Sequence, residues 1–188
     1  GVQTCALPIC NIHEKSFKTI ADFLPSKDQI IGADFSFMKY SSRYDQVLDG
    51  GEPNIFSPHF SGGALVDLGV YPIYAALAWF GMPKESVYFG QKIATGVDGF
   101  GVGVLRYDNF DVTIRTGKIN DSFQQSEIYL VNGTLVMDAV NSISEAIFHD
   151  RNHQRREKLA VHQLENPMVE EADEFARVIL NPTDRKLG

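Results

Sequence analysis

The residues best suited to chemistry are Asp67 and Tyr71, within SGGALVDLGVYPIYAALAWFG from Ser61 to Gly81. On a helix their four-residue spacing sets them about 40° apart around the axis, one turn up. A carboxylate and a phenol on one face, near a helix start and beside a long loop, jointly hold a substrate hydroxyl. Tyrosine exchanges a proton near neutral pH only if a cation lowers its pKa from about 10. The plainer reading is two surface groups on a helix, and the pattern alone favours it.

Other motifs carry less. His149 and His153 stand at i and i+4, but the residues between them lack the glutamate of H-E-x-x-H. Exposed polar histidines at a strand end and turn are expected there, and no metal site. Gly99-Phe100-Gly101-Val102-Gly103 has the wrong spacing for a nucleotide loop and no helix after it. It reads as a strand whose glycines admit a close neighbour. No G-x-G-x-x-G follows an early strand, and no G-x-x-x-x-G-K occurs. The basic run Arg151 to Lys158 is short and has no interleaved aromatics, so it reads as a solvated turn rather than a nucleic-acid site. No second acid stands at a useful spacing from Asp67 for a hydrolase built on paired carboxylates.

The elements that must position Asp67 and Tyr71 follow from periodicity. Ile12, Phe17, Ile20, Phe23 and Leu24 mark a helix closed by Pro25. Gln29 to Tyr40 alternates and predicts a strand. Ser41 to Ser61 is a long polar loop, of a length usually functional or disordered. Gly62 to Phe80 predicts a helix, kinked where Pro72 deletes the bond to the Leu68 carbonyl and stopped by Gly81. Short alternating segments follow at Val87–Thr95, Gly101–Tyr107, Phe110–Lys118, Gln125–Val131, Thr134–Ala139, Ser144–His149 and Lys158–Gln163. Asp108-Asn109 and Asn132-Gly133 supply turns between them. Val102, Val104 and Tyr107 beside Leu105 make both alternations apolar, so both sheet faces need covering. Met168 to Leu180 predicts a last helix. The sum is an α+β domain.

Composition narrows the function classes. The chain has 188 residues, 44% of them hydrophobic, enough for one domain that folds without a metal or disulfide staple. Seventeen basic against 24 acidic residues give a charge of −7, which favours neither nucleic acid nor an anionic membrane as partner. The uncharged run Leu68 to Pro83 falls short of the roughly 18 apolar residues of a membrane span. No basic leader precedes it, so a cytoplasmic protein is expected. Cys5 and Cys10 are too few for a disulfide scaffold. Gly1 to Ile9, GVQTCALPI, shows no periodicity and is also the translation of a common sequencing-adapter end. Residues 1–10 are therefore expected to be read-through or a disordered tail, with the domain spanning 11–188.

The glycine-Asp-Tyr stretch resembles the G-G-[AG]-L-x-D-x-G-x-[YH] signature of the Gfo/Idh/MocA oxidoreductases, the glucose–fructose oxidoreductase and inositol dehydrogenase superfamily. YSSRYD (Tyr40 to Asp45) and PNIFSPHFSGGALVDLGVY (Pro53 to Tyr71) are similar to a bacterial branch of it. The likeness runs from Asn11 to about Leu180. It implies an NAD(P)-dependent dehydrogenase of sugars, polyols or related carbonyl compounds. It also implies an open, mostly antiparallel sheet with helices packed on one face and another subunit on the other. By resemblance Asp67 orients the substrate and Tyr71 stands at the acid/base position. Lys39, Tyr40, Arg43, Asn54 and Phe56 become candidate substrate-binding residues, with a plain surface role the alternative for Lys39 and Arg43.

The family's N-terminal Rossmann domain, with its glycine loop and E-K-P lysine, has no counterpart in this sequence. The expectation is thus the substrate-binding and oligomerisation half of a truncated enzyme. NAD or NADP would serve the full-length parent and none would bind this fragment alone. A sugar or polyol ligand and a homo-oligomer through the sheet face are the expected partners, with no nucleic acid and no membrane. The alternative is a non-catalytic binding or assembly module using the same sheet.

Overall fold

A computed structural model describes residues 14–161 and, farther along, Val169, Ala172, Asp173, Ala176, Arg177 and Leu180, all helical. The readings of residues 1–10, of Ile12, and of Phe175 and Ile179 in the last helix lie outside the described residues.

Helix α1 (Lys15–Phe23) buries Phe17 and Ile20 and ends before Pro25. Strand β1 (Ile30–Met38) follows, starting one residue later and ending two residues earlier than expected. The expected loop 41–61 is ordered by helix α2 (Tyr44–Leu48) and by 3-10 turns at Asn54–Phe56 and Pro58–Phe60. Alternation and helical periodicity both miss such pieces, because three to five residues are too few for a helical pattern to repeat. The expected single helix from Gly62 begins later, as a π-turn over Leu65–Gly69 that passes into helix α3 (Val70–Phe80). Irregularity falls before Pro72 rather than as a kink at it, since a wide turn there leaves the proline in the opening turn of α3. Gly81, at φ 77°, ends the helix.

Seven more strands complete the sheet: β2 (Glu85–Lys92), β3 (Asp98–Arg106), β4 (Asp111–Gly117), β5 (Ser126–Leu130), β6 (Gly133–Met137), β7 (Ala146–Asp150) and β8 (Arg155–Lys158). The last strand starts three residues earlier than expected. The first half of the basic run is the expected turn, and the second half, Arg155 to Lys158, is that edge strand. All four of its residues are exposed, so no apolar alternation marked it. The order is β2-β3-β4-β1-β5-β6-β7-β8. Every neighbour pairs antiparallel except β1 with β4, which run parallel from Gly32↔Asp111 to Met38↔Gly117. This is the open, mostly antiparallel α+β sheet expected.

Alternation sorts the two faces. Ala33, Phe35, Val112, Ile114, Leu105, Ile128, Leu135 and Met137 are buried beneath α1 and α3. Pro72, Ala75, Ala76 and Phe80 form the buried side of α3, and two alanines let its backbone lie close to the sheet. Counted as Pro58–Phe80, 23 residues at hydropathy 1.4, the segment is long and apolar enough to cross a membrane, more than the uncharged run suggested. Its apolarity is used here against the sheet. Tyr107 belongs with Leu105 on the covered face, donating to the carbonyls of Ala76 and Gly81, whereas Val102 and Val104 point to the open face. Grouping Tyr107 with those valines was therefore wrong in phase.

Phe80 is fully buried against Phe35, Tyr107 and Phe110, its ring 5.3 Å from that of Phe110. Phe80→Ala is expected to cost about 3–5 kcal/mol in urea unfolding. Met82→Ala, at a residue 82% exposed, is expected to stay within about 0.5 kcal/mol.

Candidate functional site

The site forms where the parallel strands end together. Beyond Met38↔Gly117 the two chains stay joined: Lys39 N–H donates to Gly117 O at 2.9 Å, and Ser41 N–H to Lys118 O at 2.9 Å. Lys118 therefore begins beside the loop that carries Tyr40, Arg43 and Phe56. Its side chain, only 5% exposed, forms an ion pair with Asp67 Oδ2. Its ammonium also lies 5.8 Å from the centre of the Phe56 ring. Burial, and next the nearby Arg43 guanidinium, push the Lys118 ammonium down to about 8. The Asp67 contact acts in the opposite sense, favouring the charged form.

Asp67 is held from its own side as well. Gly63 has φ 124°, a backbone open to glycine, and a Cβ there would run into Asp98 Oδ1. Asp98 Oδ2 accepts from Leu65 N–H at 2.8 Å and from the Tyr88 hydroxyl at 2.5 Å. One carboxylate thus satisfies an orphan donor at the start of the π-turn and ties it to strands β2 and β3. Tyr88 reaches Asp98 by lying over Gly101, where any Cβ would strike its ring. That is the close neighbour the glycines of β3 were expected to admit. Burial, then the bond to Asp98, raise the Tyr88 phenol well above its ordinary value. On the far side, Thr116 Oγ1 donates to Ala64 O at 3.0 Å.

A cavity of about 460 Å³ opens above this base, lined by Asn54, Ile55, Phe60, Ser61, Gly62, Val66 and Asp67. Asp67 is 45% exposed by side chain, so the carboxylate has one oxygen on Lys118 and remains open to the cavity. The sequence candidates divide around it. Asn54 shares the cavity with Asp67. Phe56 is fully buried and supports Lys118 from below, with Tyr44 5.6 Å away across their rings. Arg43 acts on the site through its charge near Lys118. Tyr40 turns to Asp45, donating its hydroxyl at 2.6 Å, and that bond raises its pKa, which unsuits it for proton exchange. Lys39 lines a different, smaller cavity with Asp121 and Asp138. Tyr71 follows Asp67 along the helix, its ring set edge-on to Phe37 at 5.4 Å. The π-turn between them replaces the regular α-helical angle expected from their spacing.

The profile of the GFO/IDH/MocA C-terminal domain matches residues 35–136, a span that includes every residue of this base. The chain belongs to that family. An uncharacterized oxidoreductase of Escherichia coli K12, YgjR, is 36% identical over 87% of this chain and 50% of its own length. The scyllo-inositol 2-dehydrogenase (NADP(+)) IolU of Bacillus subtilis is 38% identical over 77% of this chain and 44% of its own. The chain spans about half the length of the curated relatives it matches. Among solved structures, KijD10, a 3-ketoreductase from Actinomadura kijaniata in complex with TDP-benzene and NADP, superposes with a TM-score of 0.72. It is 19% identical, over 95% of this chain and 54% of that one, so it speaks for the fold.

Lys118, Asp98 and Tyr88 escaped the sequence reading. Each lies 10 or more residues from its partner, in strands whose polar residues look like ordinary edges and turns. Among the described residues no group of three or more His, Cys, Asp or Glu is placed to hold a metal. His153 instead meets Asp150, Nδ1 to Oδ2 at 2.7 Å.

Asp98→Ala leaves the Leu65 N–H and the Tyr88 hydroxyl without their acceptor and is expected to cost about 1–3 kcal/mol in urea unfolding. Tyr88→Phe, which removes one donor only, is expected to cost about 1 kcal/mol. Equal midpoints for Asp98→Ala and the parent chain would remove Asp98 from this role.

Proposed function

We propose that this chain is the substrate-binding half of an NAD(P)-dependent oxidoreductase acting on a sugar, polyol or related carbonyl compound. The observation that carries the reading is Asp67, anchored on a buried lysine at the wall of a cavity it shares with Asn54 and Ser61, with Tyr71 four residues on. The names of the relatives agree with it: IolU as an NADP(+)-dependent inositol dehydrogenase, and YgjR as an oxidoreductase.

A carboxylate fixed by one oxygen accepts a hydrogen bond from a substrate hydroxyl with the other, which orients the carbon bearing that hydroxyl. Tyr71 is the group proposed to give or take the hydroxyl proton as the carbon is reduced or oxidised. Asn54, across the cavity, offers an amide that donates and accepts, suiting a neighbouring hydroxyl. Nicotinamide, when bound by the whole protein, supplies the hydride. The described residues do not themselves fit a dinucleotide: the glycines of β3 lie mid-strand under Tyr88 and open no helix. The cofactor is accordingly assigned to an upstream domain.

The open face of the sheet is proposed to meet a second copy of the chain. Val87 and Phe89, 46% and 70% exposed, pair across strands with Val104 and Val102 on that face. Farther in, Arg115 and Asp34 form an ion pair of 2.8 Å, and burial raises the Asp34 carboxyl above its usual range. Such a mixed surface suits a subunit contact. A dimer or larger species is expected in light scattering at micromolar concentration, and a monodisperse monomer would count against it.

With the chain joined to an upstream nicotinamide-binding domain, turnover of a sugar and polyol panel is read by nicotinamide absorbance. Tyr71→Phe is expected to lower kcat roughly 10²–10⁴-fold. Asp67→Asn is expected to lower kcat/KM, and the double variant to fall short of additivity. Tyr74, 39% exposed on the same helix, serves as control, and Tyr74→Phe should leave kcat nearly unchanged. Loss in Tyr74→Phe with retention in Tyr71→Phe would reassign the tyrosine, and no effect of either would end the dehydrogenase reading.

A further inference from the structure

We infer that Lys118 is the positioning residue of this site: its ammonium holds Asp67 by Oδ2 and leaves Oδ1 to the ligand. The inference rests on the reading of the Asp67 cavity as a polyol site. Nothing in the sequence near Asp67 supplies a cation, and the nearest lysine in sequence is Lys84, seventeen residues on and past the end of α3. Lys84 is taken by Asp108 at the other end of α3.

Lys118 is built into its place. Its backbone N–H donates to Gly99 O at 2.8 Å and its carbonyl accepts from Ser41 N–H, so the residue is fixed between β3 and the loop after β1. Its ammonium lies over the buried ring of Phe56. The charged groups facing it among the described residues are Asp67 from the π-turn and Arg43 from the start of α2. A cation this far out of water is costly unless paired, so Lys118 and Asp67 depend on each other. The side chain is 5% exposed against 45% for Asp67. A ligand in the cavity therefore meets the carboxylate, and Lys118 acts through it.

Two roles follow. Pairing keeps Asp67 ionised, which a hydroxyl donor requires, and it confines the carboxylate to one rotamer, which lowers the entropy lost when a ligand is ordered. Asparagine at 67 would satisfy the geometry but not the charge. Arginine at 118 would restore the charge but not the compact shape of the ammonium.

The test is NMR on the whole chain, following the Asp67 carboxyl carbon and the Lys118 ε-carbon through pH, with scyllo-inositol as the polyol probe. In Lys118→Met the Asp67 midpoint is expected to rise by about one unit or more, a tenfold loss of acidity. In Asp67→Asn the Lys118 midpoint is expected to fall further below that of ordinary lysines, because a favourable neighbour has gone. Scyllo-inositol binding is expected to weaken at least about tenfold in Lys118→Met and to recover in part in Lys118→Arg. If Lys118→Met does not fold, the Asp67→Asn arm reads the same coupling from the other partner. Unmoved midpoints overturn the inference. Coupled midpoints with no binding of scyllo-inositol by the parent chain leave the pair standing and overturn that polyol as ligand instead.

Discussion

The parallel pairing of β1 with β4 is the constraint on which the rest depends. Each half of the sheet, β2-β3-β4 and β5-β6-β7-β8, is an antiparallel run of neighbours in sequence. Such hairpin runs form from local contacts. Only β1 joins them, hydrogen-bonded to β4 on one side and β5 on the other. Parallel strands finish at the same end, so the loop after β1 and the residues after β4 emerge side by side. An antiparallel join would have put Lys118 at the opposite end of the sheet from Tyr40, Arg43 and Phe56.

From that end α3 returns over the covered face, and its first turn is pinned where the strands finish. Thr116 holds Ala64 from β4, and Asp98 holds Leu65 from β3. A π-turn with a proline behind it is not a segment that stands alone; helix propensity at this length is marginal in water. What keeps it is the set of polar anchors at its start and the apolar side of α3 along its length. The carboxylate of Asp67 thus sits on a rigid base although its outer face meets solvent. This division, rigid support beneath and an accessible group above, is what a binding or catalytic group requires.

The two faces of the sheet are unequal for the same reason that alternation is legible. Residues at odd positions of β3 and even positions of β4 share one side, which α1 and α3 cover. The opposite positions carry valines at one end and the Arg115–Asp34 pair in the middle. Burial without a covering helix raises the Tyr129 phenol to about 12. That face is neither a core nor a freely solvated surface.

Much was decided by the sequence on its own. Period-two alternation marked β1, β3, β4 and the hairpin at Asn132-Gly133, because an open sheet with one covered face must alternate. The apolar spacing from Leu65 to Phe80 marked the long helix, and the Gly-Asp-Tyr stretch marked the family. The glycines of β3 announced a close neighbour without naming it. Only the tertiary structure decided that the neighbour is Tyr88, that Asp98 caps the π-turn, and that Lys118 lies under Asp67. Those partners are brought together by strand pairing across 10 residues for Tyr88 and Asp98, 33 for Asp98 and Leu65, and 51 for Lys118 and Asp67. A single lysine or aspartate at a strand end has no periodicity and no local partner to distinguish it from the solvent-facing charges around it. Its role is set by what the fold lays against it, and that is a property of the pairing rather than of the residue.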